Sequence, residues 1–154
     1  MSSLVLDSIR ALKDYEGREI ATTEWFTVTE ERIREFAEAT EDRQWIHVDP
    51  ARAKRESPYG ATVAHGFLTL SLISHFLREA IPPPADVRRT INYGLNRVRF
   101  PAPVRAGDKI RARIHLQSCE EGAESTKAVF EFTLETFSAE KPCCIAEWMV
   151  LYFR

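Results

Sequence analysis

The 154 residues are 44% hydrophobic and 29% charged. That is the size and composition of one globular domain spanning 1–154, able to bury about 70% of its unfolded surface without disulfides or a structural metal. Lys+Arg is 21 against Asp+Glu 23, a formal charge of −2, which argues against nucleic acid or an anionic membrane as the main partner. No apolar run approaches 18 residues, and the opening MSSLVLDSIRALKDYEG meets acidic residues too early for a secretory signal. Three cysteines, Cys119, Cys143 and Cys144, are an odd number with two adjacent, so the expected setting is a reduced cytoplasm.

In chain order, Thr27-Val28-Thr29-Glu30 has the form of a capping box, and Ile33, Phe36 and Ala37 follow at helical spacing. This predicts an amphipathic helix over about 29–39. Asp49-Pro50 is a cap followed by proline at the first helical position, and predicts a short helix to about Arg55, broken by Ser57-Pro58-Tyr59-Gly60. From Ala64 to Ala80 the chain is apolar nearly all round, through Phe67, Leu68, Leu70, Leu72, Ile73, Phe76 and Leu77. Such a helix is normally buried on most sides. Ile81 to Asp86 carries three prolines and reads as a stiff loop.

Beyond it the period changes to two. Ile110, Ala112, Ile114 and Leu116 alternate with polar residues, as do Ala128, Phe130, Phe132 and Leu134. Both segments predict half-buried antiparallel strands, with others over about 88–100 and 145–153 and turns at 106–108 and 121–123. One apolar helix followed by long strands predicts an α+β domain whose sheet curves around that helix. Eight basic residues between Arg88 and Arg113 are opposed only by Asp108. They read either as solvated strand faces or as a site for a phosphorylated ligand.

Chemistry concentrates in Thr40-Glu41-Asp42-Arg43-Gln44-Trp45-Ile46-His47 and the following Ala64-His65-Gly66. Asp42 and His47 are expected at the two ends of a loop between helices, where a carboxylate and an imidazole can converge on one water as an acid–base pair. Spacing does not say which is acid and which is base, because coupled groups share their titration. His65 reads as a hydrogen-bonded residue opening the central helix, a third catalytic group, or a metal ligand with His47 and Asp49. Asp49 reads as a helix cap. Cys143-Cys144 lacks the C-x-x-C spacing of a redox pair and reads as packing.

The segment 40–47 resembles the T-G-D-x-N-P-x-H motif of the MaoC-like and R-specific enoyl-CoA hydratases. Ala64-His65-Gly66 resembles that family's second signature, and Arg99-Phe100-Pro101-Ala102-Pro103-Val104-Arg105-Ala106-Gly107-Asp108 its sheet segment. QWIHVDPARAK and SPYGATVAHGFLTLSL are similar to the NodN-like branch. The resemblance covers about residues 15–153. It implies a hot-dog fold, a long antiparallel sheet wrapped around one helix, usually dimeric. It also implies hydration of trans-2-enoyl thioesters carried on CoA or acyl carrier protein, with no cofactor and no metal. Matched residue by residue, Asp42 and His47 take the catalytic pair and Gly66 the glycine whose N–H faces the thioester carbonyl. Ser74 takes a position that supports the pair by hydrogen bonding. A fixed N–H donor at the helix start suits the enolate charge that builds on that carbonyl.

Three positions depart from the motif. Glu41 replaces glycine, which implies ordinary backbone angles there. Gln44 replaces asparagine and still offers an amide to the substrate. Trp45 replaces proline, and its ring either walls the acyl pocket or packs in the core. Two other functions share the fold. One is an acyl-CoA thioesterase, whose carboxylate would sit on the central helix, where Glu79 near its end is the sole acidic residue. The other is a non-catalytic acyl-thioester binding protein of the NodN-like type.

Overall fold

The computed structural model describes residues 3–154. A 3-10 helix, Ile9–Tyr15, precedes strands β1 (Arg18–Thr22) and β2 (Phe26–Thr27). Helices α1 (Glu30–Thr40), α2 (Trp45–Val48), α3 (Pro50–Glu56), α4 (Gly66–Ser71) and α5 (Ile73–Ala80) follow. The chain ends in four long strands, β3 (Arg89–Arg99), β4 (Lys109–Glu121), β5 (Ser125–Thr136) and β6 (Cys144–Phe153). The sheet order is β1-β4-β5-β6-β3, with β2 also on β4, and all pairings are antiparallel.

The period-two segments are the centre of this sheet. Ile110, Ala112, Ile114 and Leu116 of β4 pair with Thr136, Leu134, Phe132 and Phe130 of β5 and share its buried face. Cys144, Ala146, Trp148, Val150 and Tyr152 of β6 continue that face. A bulge between Leu116 and Ser118 shifts the alternation by one, so Cys119 turns inward where an unbroken period would have turned Ser118. Leu68, Leu72, Ile73, Phe76 and Leu77 of α4–α5 join these strand residues in one hydrophobic core. This is the hot-dog arrangement the sequence implied.

The central helix differs from expectation in two ways. It is divided at Leu72, where the amide lies near both the Leu68 and Thr69 carbonyls. Ser71 Oγ donates to the Leu68 carbonyl at 2.7 Å and Ser74 Oγ to the Ser71 carbonyl at 3.0 Å. Hydroxyls bonding back into a helix compete with its ladder and bend it. The helix is also not covered all round, since Phe67, Ser71, Ser74 and Arg78 share one exposed stripe.

Helix α1 is capped by Thr29, which accepts from the Arg32 amide, rather than by Thr27, which pairs in β2. Its C-terminal end overturns the reading of Glu41. That residue has φ 63 and ψ 7, the left-handed conformation, because the chain must leave the helix sharply to bring Asp42 round. A side chain there costs roughly 1–2 kcal/mol, and Glu41 contributes only an ion pair with Arg43 while remaining exposed. Replacing Glu41 by glycine should therefore raise stability by about 0.5–1 kcal/mol, read as a higher urea midpoint at an unchanged m-value.

Candidate active site

Three short stretches of main chain run side by side and set the site. The Val63 amide donates to the Ile46 carbonyl at 3.0 Å and the Ala64 amide to the Val104 carbonyl at 2.7 Å. The Ala106 amide donates to the Thr62 carbonyl at 2.9 Å. Residues 62–64 are thereby clamped between the turn that carries His47 and the Pro-rich segment before β4, and the next residues, His65 and Gly66, begin the central helix.

His47 lies in α2 rather than at the end of an open loop, and only 41–44 is loop. A four-residue helix follows because the His47 amide donates back to the Gln44 carbonyl at 2.9 Å. The His47 ring is 7% exposed, and its Nδ1 lies 2.6 Å from the Val63 carbonyl. A carbonyl only accepts, so Nδ1 carries the proton and Nε2 keeps its lone pair for chemistry. Burial holds the ring below the ordinary histidine range. The charge of His65 pushes the same way, while the Val63 hydrogen bond and Asp42 oppose.

Asp42 is exposed, and its carboxylate accepts from the Gln44 amide at 3.4 Å. A carboxylate oxygen of Asp42 and one ring nitrogen each of His47 and His65 lie within 4.8 Å of one another. The sequence pair is therefore brought together. The same three side chains could be taken for a metal cluster, with Asp42 in the place considered for Asp49. But the two imidazoles stack at 3.7 Å with 23° between their planes. Metal bonds lie close to the ring plane at about 2.0–2.1 Å, so nearly parallel rings do not direct their lone pairs at one ion. Asp49 instead caps α3, accepting from the Arg52 amide at 2.9 Å.

Beside His47 is a hollow of about 250 Å³ whose lining includes Ile46, Gly66, Thr69, Phe100 and Cys143. The Gly66 N–H opens the helix and has no hydrogen-bond partner among the described residues. A Cβ added at Gly66 would come within 3.2 Å of the Phe100 ring, so glycine is needed here for close approach rather than for backbone angle. Cys143 is buried, its Sγ lies 3.3 Å from the Leu134 carbonyl, and burial pushes its thiol up to about 12. It is a packing residue just ahead of β6, as the lack of C-x-x-C spacing implied.

Three other candidates lie apart from this hollow. Trp45 is half-buried on the outer side of the turn with the Arg52 guanidinium 4.4 Å over its ring, so it neither walls the hollow nor enters the core. Ile46 faces the hollow instead. The Gln44 side chain is exposed and makes no hydrogen bond among the described residues. Ser74 lines a separate hollow with Asn92 and Trp148, and its hydroxyl is used by Ser71, so within one chain it does not support the pair. Sequence reasoning gave no role to Phe100 as the cover of Gly66.

The basic segment divides. Arg111 pairs with Glu135 at 2.7 Å and Arg113 with Glu19 at 2.6 Å, as solvated strand faces do. Arg88, Arg89, Arg97, Arg99 and Arg105 are exposed and make no ion pair among the described residues.

A curved antiparallel sheet around one central helix is the hot-dog arrangement, and here His47 and the free N–H of Gly66 share one hollow at the helix start. Residues 12–136 match the MaoC-like domain, and the chain belongs to that family. It is 42% identical over 147 residues to 3-hydroxyacyl-thioester dehydratase Z of Mycobacterium tuberculosis, covering 95% of this chain and 96% of that one. It is 43% identical over 136 residues to nodulation protein N of Rhizobium leguminosarum, covering 88% and 84%. Among solved structures, the R-hydratase PhaJ1 of Pseudomonas aeruginosa superimposes with a TM-score of 0.69 at 23% identity, over 90% of this chain and 82% of that one.

Because the buried His47 ring resists protonation, the stability it contributes is present above the ordinary histidine value of about 6.5 and is lost as the pH falls toward the folded value. Two-dimensional NMR should find His47 as the Nδ1–H tautomer titrating below about 6.5. His47→Gln should flatten the dependence of unfolding free energy on pH in that window.

Proposed function

We propose that the chain is an R-specific enoyl-thioester hydratase, equivalently a 3-hydroxyacyl-thioester dehydratase in the reverse direction. It acts in the cytoplasm as a homodimer on acyl groups carried by CoA or acyl carrier protein. The observation that carries this reading is the convergence of Asp42 and His47 within 4.8 Å, a span that one water molecule bridges with two ordinary hydrogen bonds. The water would be held by Nε2 of His47 and the Asp42 carboxylate. The pair takes one of its protons as its oxygen bonds to Cβ. The Cα=Cβ electron pair moves toward the thioester, charge collects on the carbonyl oxygen, and the Gly66 N–H stabilises that charge. The proton held by the pair then goes to Cα from the same face. No cofactor or metal is needed for these steps.

Two features weigh against a thioesterase. The central-helix carboxylate Glu79 is engaged with His75 at 3.5 Å near the far end of α5, and the Cys143 thiol beside Gly66 stays protonated. The unpaired Cys119, Cys143 and Cys144 suit a reducing compartment.

The dimer reading rests on β3. It is an outer strand of the sheet, and Ile91, Tyr93 and Leu95 on it are exposed at 41%, 62% and 40%, next to Phe67 at 71%. A long, apolar, unpaired edge invites another strand, and the occupant proposed is β3 of a second copy, antiparallel about a two-fold axis. Ser74, which has no route to Asp42 within the chain, would then support the pair of the partner copy.

Asp42→Asn keeps the side-chain shape and removes its basicity. With crotonyl-CoA, followed by loss of enoyl absorbance, turnover should fall about 10²–10⁴-fold at an unchanged melting temperature. His47→Gln should fall as far, and the double variant hardly further, since the pair acts as a unit. Full hydration by folded Asp42→Asn protein would overturn the mechanism. Light scattering should give a dimer for the wild type and a monomer for Tyr93→Lys combined with Leu95→Lys. A wild-type monomer at micromolar concentration would remove the dimer reading.

A further inference from the structure

His65 has no part in the mechanism above, yet it touches every component of it. It is 3% exposed and immediately precedes Gly66. Its Nε2 lies 2.9 Å from the main-chain carbonyl of Asp42. That oxygen only accepts, so Nε2 carries the proton and donates. One face of the ring stacks on His47 at 3.7 Å, and Phe36 of α1 packs against it at 5.0 Å. Its own carbonyl accepts from the Leu68 and Thr69 amides, which starts α4. The remaining nitrogen, Nδ1, is buried without a hydrogen-bond partner among the described residues.

That orphan nitrogen is informative. Phenylalanine could supply the stack without burying an unpaired polar atom, and glutamine could supply the N–H without the ring. Histidine does both, and the buried Nδ1 is the cost of doing both.

We infer that His65 is a positioning residue of the reaction. Its N–H holds the Asp42 loop in place, and its ring fixes the plane of His47 and shields it, so that the two reacting groups face one bound molecule. The two contacts have separable effects. Holding the Asp42 carbonyl governs the aim of the carboxylate on the loop, hence turnover. The stacked ring governs the protonation of His47, chiefly because it excludes water from one face and less because a charge on His65 would repel one on His47. The groups about the His47 ring are His65 before α4, Asp42 in the loop, and Tyr59 and Cys143 in the hollow. His65 and Asp42 are those whose charge acts on it.

This inference rests on the reading of Asp42 and His47 as the acid–base pair, and the experiment separates the two. His65→Phe keeps the ring and loses the donor. His65→Gln keeps a donor at the reach of Nε2 and loses the ring. With crotonyl-CoA, His65→Phe should lower kcat about 10- to 100-fold with little change in KM, while the acid limb of its pH profile moves up less than in His65→Gln, since the phenyl ring keeps the burial and loses only the imidazole charge. His65→Gln should retain most of kcat, and its acid limb should move up toward the ordinary histidine value of about 6.5. A merely structural role would move neither split in opposite ways. Folded variants that both keep wild-type kcat and acid limb would overturn the inference, as would the reverse pattern. If the wild type hydrates no enoyl thioester, the parent reading fails and the NMR titration of His47 decides this one. A larger upward shift in His65→Gln than in His65→Phe supports the positioning role, and equal titrations refute it. Should His65→Phe not fold, the pH shift in His65→Gln carries the test alone.

Discussion

The site depends on the hydrogen bonds of residues 62–64. Through them the main chain ties the His47 turn to one side and the segment 104–106 to the other, and the Val63 carbonyl goes on to accept from His47 Nδ1. One carbonyl thereby sets the histidine's tautomer, its ring plane and which nitrogen remains for chemistry. The next residues carry the stacked ring and the free N–H. An acid–base pair is worth little unless its geometry is held to a fraction of an ångström, and on the His47 side the holding is done by backbone atoms that side-chain substitution does not remove.

The sheet provides what the strip needs. Its buried face, Ile110 to Leu134 across β4 and β5 and Cys144 to Tyr152 on β6, presses on α4–α5 and anchors the end of the helix whose start opens the site. The burial that stabilises the protein and the placement of Gly66 are thus two results of the same packing. The sheet's open edge is where this economy stops, since β3 exposes apolar residues that a lone chain leaves uncovered.

The long strands, α1 and α3 were legible because their periods are clean or their caps explicit, whereas the four-residue α2 was read as loop. β1 and β2 were not, because five and two residues rich in polar side chains carry no alternation to count. Their places are set by pairing with β4, where the Thr23 hydroxyl between them accepts from the Ala112 amide at 2.9 Å. Asp42, His47 and Gly66 were legible through the motif, and the structure brings the first two together. Trp45 and Ser74 fell elsewhere, because a motif position fixes a residue along the chain but not the direction of its side chain. Glu41 shows the converse: its unfavourable backbone angle is imposed by the turn that Asp42 requires, and the identity of the residue gave no sign of it. The sequence singled out His65 with three roles left open, and its partners could come only from three dimensions, since Asp42, His47 and Phe36 are all distant in sequence.

Cys143 adds a consequence of a different kind. Enoyl thioesters are electrophiles that capture thiolates by conjugate addition, and this cysteine lines the hollow that also holds Gly66 and His47. A thiol pushed up to about 12 stays protonated near neutral pH, and the thiolate is the reactive form. The burial that packs Cys143 just ahead of β6 thus also silences its nucleophile, so a thiol can line the hollow that holds His47 and Gly66 and remain chemically inert.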